Sequence, residues 1–319
     1  MAVYTHLGAE DLAELIAAYD VGELVSAKGI AEGVSNSNWL IETTRARYIL
    51  TMYELRIDTA HLPFFLGLLD HLSAKGCPVP RTIHDCDGAA FRMIEDKAVA
   101  LIEFLPGVSV DHPTPGQAKA VGSALAQLHH AVADFPMQGI QTMGLAEWDR
   151  LIHQCGSERL DTISPGLSDL AYEELSYLAM HWPGGLPHGV VHCDLFPDNV
   201  LMLGDRVSGL IDFYFSADDF FAYDLAVTHA AWCFSPGGHQ FRPEISSALL
   251  AGYASGRALS DEERDQMPVL LRGACMRFLS SRAYDWVFTP TDALVVRKDP
   301  MDFARRLDFY RANGKELFA

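Results

Sequence analysis

The sequence predicts an α+β protein of two lobes, a small β-rich N-terminal lobe and a larger, mainly helical C-terminal lobe. Its 319 residues exceed the size at which a single hydrophobic core usually stops growing. Short β-branched and aromatic runs are concentrated before residue 105, whereas helical periodicity dominates after it. We place the boundary at Pro106-Gly107 and expect lobes spanning residues 1–105 and 106–319.

The N-terminal lobe is predicted to combine helices with an antiparallel sheet. Apolar residues between 8 and 20 recur on one helical stripe. Two apolar runs flank the polar stretch 43–47, which predicts a β-hairpin over 38–53. A second helix is expected over 59–75, because Gly76 and two prolines follow it. Strands are predicted to resume through Ile83 and to continue at 91–94 and 99–104.

The C-terminal lobe is predicted to be helical with one exception, a short β-hairpin at 199–213. The candidate helices cover residues 115–133, 145–160, 168–182, 221–234, 243–256, 261–288 and 300–313.

Charge and composition restrict the possible partners. The chain carries 24 Lys and Arg against 42 Asp and Glu, a formal charge of −18, and it has no basic stripe. Binding to nucleic acid needs such a stripe, so we expect none. The six cysteines form no CxxC pair, and no apolar run reaches the length of a membrane span. We therefore expect a cytoplasmic monomer or homodimer with free thiols, no membrane association and a small-molecule substrate.

One constellation of polar residues carries chemistry. His192-x-Asp194-x4-Asn199 lies between two apolar runs, so it forms a loop that enters a strand. The return strand of the predicted hairpin ends at Asp212, which pairing brings back beside the loop. Two carboxylates and an amide should therefore converge.

These residue types suit phosphoryl transfer from ATP. That reaction needs hard oxygen ligands for Mg²⁺ and a carboxylate near the attacking hydroxyl. In this interpretation Asp194 orients the acceptor hydroxyl or accepts its proton, Asn199 and Asp212 hold magnesium, and His192 braces the loop. The alternative is a polar loop without function, but the spacing and the hairpin context favour catalysis.

The same residues carry a family resemblance. HCDLFPDN, followed by LIDF, resembles the HxDxxxxN and D-F elements of protein-kinase-like phosphotransferases, in the branch of the aminoglycoside and choline kinases. Five further runs, which with the motif span nearly the whole chain, resemble the homoserine kinases of that branch: 33–38, 48–54, 62–65, 209–215 and 284–286. The resemblance implies a bilobal protein-kinase-like fold.

The resemblance also implies where nucleotide binds. The backbone of Glu103, Phe104 and Leu105 would form the adenine-binding hinge. A nucleotide loop between two strands would contain Gly33, Ser35, Asn36 and Asn38. Asp224 resembles the structural aspartate that braces the catalytic loop.

One position departs from the usual pattern. Kinases of this fold usually carry Lys or Arg on the third strand for the α- and β-phosphates, but Thr51 stands at the matching position. Arg56 could replace that cation, or magnesium and backbone amides could suffice. The chain contains no GxxxxGK[ST] motif, so a Walker-type site is excluded.

The resemblance implies L-homoserine as acceptor, phosphorylated to O-phospho-L-homoserine on the route to threonine. An amino-acid acceptor needs a cation and an anion in its pocket. The candidates are Tyr214, Arg277, Arg282, Asp285 and Trp286. A salt-bridged helix face with Arg282 and Asp285 at i,i+3 explains part of this pattern equally well. Alternative functions are a kinase of choline, ethanolamine or an aminoglycoside, and a pseudokinase that binds nucleotide without transfer.

Overall fold

The computed structural model describes residues 7–30, 36–53, 59–94, 96–290 and 297–318. The chain forms two compact units, Met1–Gly107 and Val108–Ala319. The first unit is built mainly from strands and the second mainly from helices, which confirms the predicted α+β class.

The N-terminal unit contains one antiparallel sheet and two helices. The sheet order is β1-β2-β3-β6-β4, and β5 pairs with β6. The strands are β1 Leu24–Ile30, β2 Asn36–Thr43, β3 Arg47–Tyr53, β4 Thr82–Ile83, β5 Arg92–Ile94 and β6 Lys97–Glu103. The helices are α1 Ala9–Ala17 and α2 Leu62–Ala74.

The β2–β3 hairpin sets the register of this sheet. The Thr43 hydroxyl donates to the Val21 carbonyl at 2.6 Å and accepts from the backbone amides of Arg45 and Ala46, which closes the turn. Alternation along the strands then turns apolar side chains toward α1. The resulting core contains Leu12, Leu15, Ile16, Tyr19, Val21, Trp39, Ile41, Leu50, Met52, Val99 and Leu101.

The C-terminal unit contains eight helices and four short strands within its described residues. The helices are α3 Pro115–Ala131, α4 Leu145–Cys155, α5 Ser157–Ile163, α6 Leu167–His181, α7 Phe221–Trp232, α8 Pro243–Gly256, α9 Asp261–Phe288 and α10 Met301–Asn313. The strands are β7 His188–Val191, β8 Val200–Leu203, β9 Arg206–Leu210 and β10 Ala217–Phe220.

Two small antiparallel sheets lie among these helices, β8 with β9 and β7 with β10. The β8–β9 hairpin was predicted from the sequence. The prediction that it is the sole β structure of this unit is wrong. The β7–β10 pair was missed because each strand has four residues and the catalytic loop and the hairpin separate them. A local pattern carries little signal for such a pairing.

Capping residues fix the starts of the two longest helices. Thr114 and Gln117 form a capping box at α3, and Ser260 and Glu263 form another at α9. In each box the hydroxyl accepts from the backbone amide of the third helical residue, which satisfies an otherwise unpaired donor.

Helices α3 and α8 cross at close range. A Cβ atom on Gly122 would overlap the Leu249 carbonyl oxygen, and one on Gly252 would overlap the Lys119 carbonyl oxygen. The missing side chains thus allow the two backbones to touch. This contact matters for the site, because both helices carry residues that support the catalytic loop.

The helices and the cysteines bear on where the protein can reside. Across the described ranges, none of the helices is both long and apolar enough to cross a bilayer. All six cysteines carry free thiols, and five of them are buried.

Candidate active site

The loop that follows β7 is held by a buried carboxylate. Asp224, in the first turn of α7, accepts hydrogen bonds from the consecutive backbone amides of His192 and Cys193, each at 2.8 Å. Cys193 has a φ of +60°, a conformation that non-glycine residues rarely adopt. The Asp224 carboxylate thus stabilises a strained turn at the start of the loop.

His192 connects this loop to the β8–β9 hairpin. Its Nδ1 accepts from the Asp194 backbone amide at 3.2 Å, so Nε2 carries the proton and donates to the Ile211 carbonyl at 3.0 Å. The ring lies 4.5 Å from the Phe213 ring between centroids. Burial lowers the pKa of His192 although Asp224 and the Ile211 carbonyl oppose that shift, so the imidazole is neutral.

Asn199 fixes the shape of the loop around Asp194. Its side-chain Nδ2 donates to the Asp194 carbonyl at 2.7 Å and to Asp194 Oδ2 at 3.1 Å. A 3₁₀ turn at Pro197–Asn199 brings the amide back over the loop. Because both bonds use nitrogen, the Asn199 side-chain oxygen stays available as a ligand.

The β8–β9 hairpin returns Asp212 to the same place, as its pattern predicts. The Ile211 amide donates to the Asn199 carbonyl at 3.0 Å, which closes the hairpin directly before Asp212. Asp212 itself has a φ of +67° and precedes a 3₁₀ turn at Phe213–Phe215. The sequence therefore positions both aspartates through one short, cross-linked segment.

The two carboxylates lie in an environment that resists negative charge. Burial raises the pKa of Asp194 to about 7; Asp212 and Asp198 add to the rise and Arg277 opposes it. The protein around Asp212 raises its pKa to about 6, although one side of the residue is open to solvent. The Asp212 carboxylate accepts no hydrogen bond from the described residues. A nearby cation favours the ionised form of such a carboxyl group, so Asp212 is suited to bind one.

The donor set fits Mg²⁺. In the described parts of the chain no three His, Cys, Asp or Glu side chains converge on one point. Mg²⁺ is commonly held by one or two protein oxygens, with water and substrate phosphate completing the octahedron. Asp212 and the Asn199 side-chain oxygen supply two such oxygens.

Lys298, which was not predicted as a site residue, lies beside this site. Its Nζ is 3.5 Å from Asp198 Oδ2 and 5.8 Å from the centroid of the Phe196 ring. Its charge opposes the raised pKa of both Asp194 and Asp212. Nothing in the local pattern around Lys298 could have indicated this position.

Of the predicted acceptor residues, Arg277 lies beside the catalytic loop. It is 2% exposed, and its Cζ is 5.2 Å from the centroids of both the Phe215 and Phe278 rings. Arg277 Nη1 has no hydrogen-bond partner among the described residues. A buried guanidinium without an ion pair destabilises a fold, so Arg277 is better explained by a role in the site than by a role in stability.

The other predicted acceptor residues have surroundings that differ from those of Arg277. Arg282 pairs with Asp302 of α10 at 3.1 Å, a contact that was not predicted. The Trp286 ring lies under Arg297, with Cζ 4.9 Å from its centroid. Asp285 lies on the exposed side of α9, and Tyr214 lies half-buried in the turn after Asp212. Arg282 and Trp286 thus contact the segment from 297 to 302.

In the N-terminal unit, part of the predicted nucleotide loop lies on paired strands. Asn38 and Thr51 face each other across β2 and β3, and the Thr51 hydroxyl donates to Asn38 Oδ1 at 2.8 Å. The buried side-chain oxygen of Asn36 accepts no hydrogen bond from any described residue. Gly33, Ser35 and Arg56 lie outside the described residues.

The predicted hinge begins at the last residue of β6 and directly precedes the boundary between the two units. Glu103 is bonded through its amide to the Arg81 carbonyl at 3.0 Å, and Phe104 packs under Arg47, with Cζ 4.5 Å from the ring centroid. Together with Leu105 these residues are half-buried, and their backbone remains a candidate for contact with adenine.

Comparison with known proteins identifies a family and a fold. Residues 26–259 match the model of the phosphotransferase enzyme family APH. A homoserine kinase from Nitrobacter hamburgensis is 48% identical over 314 residues, which are 98% of this chain and 96% of that protein.

Solved structures agree on the architecture. A spectinomycin phosphotransferase, APH(9)-Ia, in complex with ADP and spectinomycin, matches with a TM-score of 0.73 at 14% identity and covers 98% of this chain and 100% of its own. The amicoumacin kinase hAmiN, in complex with AMP-PNP and Ca²⁺, matches with a TM-score of 0.70 at 16% identity, over 97% and 94% of the two chains. These matches confirm the predicted protein-kinase-like fold.

Proposed function

Because this chain belongs to the APH phosphotransferase family and, within it, to the homoserine kinases, we propose that it transfers the γ-phosphoryl group of ATP to the hydroxyl of L-homoserine. The products are O-phospho-L-homoserine and ADP. The observation that carries the choice of acceptor is the 48% identity to a homoserine kinase over 98% of the chain. The choice of reaction is supported independently by the carboxylates and amide around Asp194.

Asp194 acts on the acceptor in this proposal. It orients the homoserine hydroxyl and accepts its proton as the oxygen attacks phosphorus. The Asn199 amide holds one carboxylate oxygen of Asp194, which leaves the other for the acceptor. His192 is a positioning residue, because among the described residues its neutral ring bonds to backbone atoms of Asp194 and Ile211 and to no other partner.

Asn199 and Asp212 would hold Mg²⁺, which when bound neutralises charge on the phosphates of ATP. Their oxygens are hard ligands, and the unpartnered carboxylate of Asp212 gains a counter-charge. The αL conformation of Asp212 and the bond between Ile211 and Asn199 keep both side chains on one short segment.

The N-terminal unit would bind the rest of the nucleotide. The backbone of residues 103–105 would contact adenine, and the segment from 33 to 38 would approach the phosphates. Thr51 would serve as a neutral lining residue, since its hydroxyl is already bonded to Asn38.

Arg277 would support the negative charge of Asp194 from the protein side. Its guanidinium opposes the raised pKa of that carboxyl and is held between two aromatic rings. Arg282 would instead tie α9 to α10 through Asp302. Tyr214, Asp285 and Trp286 remain predicted acceptor residues.

The setting of the reaction follows from the same assignment. We infer that the enzyme works in the cytoplasm, where reducing conditions keep its six thiols free, and that it acts as a monomer or homodimer.

A coupled assay of ADP release tests this function. L-Homoserine, choline, ethanolamine and kanamycin are each supplied with ATP, with and without Mg²⁺, and the product is identified by ³¹P NMR. The highest kcat/KM is expected for L-homoserine, with activity lost in EDTA. A higher value for a cationic amine would overturn the acceptor. Nucleotide binding without turnover of any acceptor would support the pseudokinase alternative.

A further inference from the structure

The negative charge around the transferred group exceeds what one proposed Mg²⁺ would neutralise, which favours a further cation. Asp194, Asp198 and Asp212 all lie in the catalytic loop and the turn that follows the hairpin. ATP adds about four negative charges at the same place, and phosphoryl transfer depends on neutralising them. Thr51 stands where kinases of this fold usually carry a basic residue for the phosphates, and Arg47, the one basic residue of β3, packs on Phe104.

Lys298 is positioned to supply this charge. Its ammonium lies 3.5 Å from Asp198 Oδ2. Burial raises the pKa of Asp194 and Asp212, and the charge of Lys298 opposes that rise at both. Asp198 lies between the proposed catalytic carboxylate Asp194 and the proposed magnesium ligand Asn199 in the sequence, so the ammonium lies beside the loop that carries both.

The chain on both sides of Lys298 is anchored. Arg297 donates to the Trp286 carbonyl at 2.9 Å and stacks over the Trp286 ring. The Asp299 carbonyl accepts from Arg282 at 3.2 Å, and its carboxylate accepts from the Met301 amide at 2.9 Å. The backbone is thus fixed while the Lys298 side chain stays 62% exposed and free to reach a ligand.

The stability gained from the ion pair with Asp198 does not explain why Lys298 lies beside the catalytic loop. Both side chains are 62% exposed, and exposed pairs of this kind contribute little to stability. The aromatic ring of Phe196 beneath the ammonium adds an electrostatic attraction that holds it over the loop.

We propose that Lys298 is a catalytic residue that contacts the phosphoryl group during transfer, in place of the basic residue absent at Thr51. As the acceptor oxygen forms its bond to phosphorus, the bond from phosphorus to the β–γ bridging oxygen breaks. The acceptor proton passes to Asp194, and Lys298 keeps its own protons throughout. The assignment rests on the proposed function only in taking ATP as the donor.

The kinetic test compares Lys298→Met with Lys298→Arg. We expect the Met variant to lose roughly 10²-fold in kcat, the scale of a lost transition-state contact, and the Arg variant to recover most of it. The slow hydrolysis of ATP without acceptor should fall in parallel. Lys119→Met, at an exposed lysine of α3, should keep kcat within about threefold of the parent.

Chemical footprinting gives a readout that does not depend on turnover. Reductive methylation of Lys298, followed by mass spectrometry, should slow at least fivefold with saturating AMP-PNP and Mg²⁺, while Lys119 is unaffected. The proposal is overturned if methylation of Lys298 is unchanged by nucleotide. It is also overturned if Lys298→Met raises only the KM for homoserine, since the lysine would then bind the acceptor carboxylate. Failure of the parent enzyme to phosphorylate homoserine would refute the proposed function but leave the ATP hydrolysis and footprinting arms valid.

Discussion

His129 Nε2 lies 3.0 Å from Asp224 Oδ2, and neither side chain is exposed to solvent. The carboxylate is an acceptor, so Nε2 carries the proton and Nδ1 accepts from the Tyr253 hydroxyl at 2.8 Å. That hydroxyl accepts in turn from Arg257, which pairs with Glu263 at 2.7 Å. One buried network therefore links the catalytic loop to helices α3, α8 and α9.

Removing His129 should destabilise the protein more than removing its neighbour. Burial alone would raise the pKa of Asp224, but the hydrogen bond from His129 and the loop amides lowers it, so the carboxylate is ionised. His129→Phe leaves that charge short of a donor and should lower the free energy of unfolding by about 3 kcal/mol. Tyr253→Phe should lower it by about 1 kcal/mol. Urea denaturation measures the free energy of unfolding of both variants. Equal losses would mean that the charge of Asp224 does not determine the effect of His129→Phe.

Asp194→Asn should separate chemistry from nucleotide binding. An amide cannot accept the acceptor proton, so kcat should fall about 10³-fold. The affinity for AMP-PNP with Mg²⁺, measured by calorimetry, should change less than about threefold, because Asp194 acts on the acceptor side. Loss of nucleotide affinity in Asp194→Asn would contradict the assigned role.

Much of the catalytic segment could be predicted because its contacts are local. His192, Asp194, Asn199 and Asp212 lie within 21 consecutive residues, and a hairpin of ordinary pattern joins them. Six of the seven predicted helices of the C-terminal unit were located closely, since amphipathic periodicity and capping residues are properties of short windows. The predicted helix 145–160 is wrong, because Gly156, with a φ of +75°, divides it into α4 and α5.

The remaining parts depend on contacts between distant residues. His129 is 95 residues from Asp224, and their bond leaves no local trace. Lys298 reads as an ordinary surface lysine until the fold places it beside Asp198. Arg282 has Asp285 within one helical turn, yet it pairs with Asp302 of α10. The packing of α10 against α9 decides which carboxylate Arg282 pairs with, and the spacing of residues within α9 does not show that packing.

Arg277→Met should reduce activity without reducing stability. The guanidinium is buried and has no ion pair with any described residue, so an apolar side chain of similar length should leave the free energy of unfolding unchanged or slightly higher. The kcat should fall about tenfold or more, because the positive charge beside Asp194 is lost. Urea denaturation and steady-state kinetics on the same preparation provide the comparison. A large loss of stability with unchanged kcat would assign Arg277 a structural role.

Gly252→Ala should separate two helices that support the site. Its new methyl group would overlap the Lys119 carbonyl, and the backbone there cannot move without shifting α3. Overpacking of this kind should lower the free energy of unfolding by about 2 kcal/mol. Tyr253 is the next residue, so kcat should fall as well. Ser247→Ala, at an exposed position of α8, should change neither quantity; a tolerated Gly252→Ala would show that the crossing is not tightly constrained.

Stability should fall as the solution is acidified, in part through His229. Its Nδ1 is 2.7 Å from the Tyr310 hydroxyl and its Nε2 is 2.8 Å from the Ser246 hydroxyl. Burial lowers the pKa of His229 from 6.5 to about 3. Below pH 6.5 the unfolded chain therefore binds a proton at this residue that the folded chain does not, and the free energy of unfolding decreases with falling pH.

Between pH 7 and pH 5 this single histidine should account for a loss of about 2 kcal/mol. Urea denaturation at both pH values measures it as the difference between the parent protein and His229→Gln, which cannot titrate. His112→Gln removes an exposed histidine and serves as the control for the loss of one imidazole. The decrease should be smaller by about 2 kcal/mol in His229→Gln. An identical decrease in the parent and His229→Gln would mean that His229 is protonated in the folded state, in conflict with its buried hydrogen bonds.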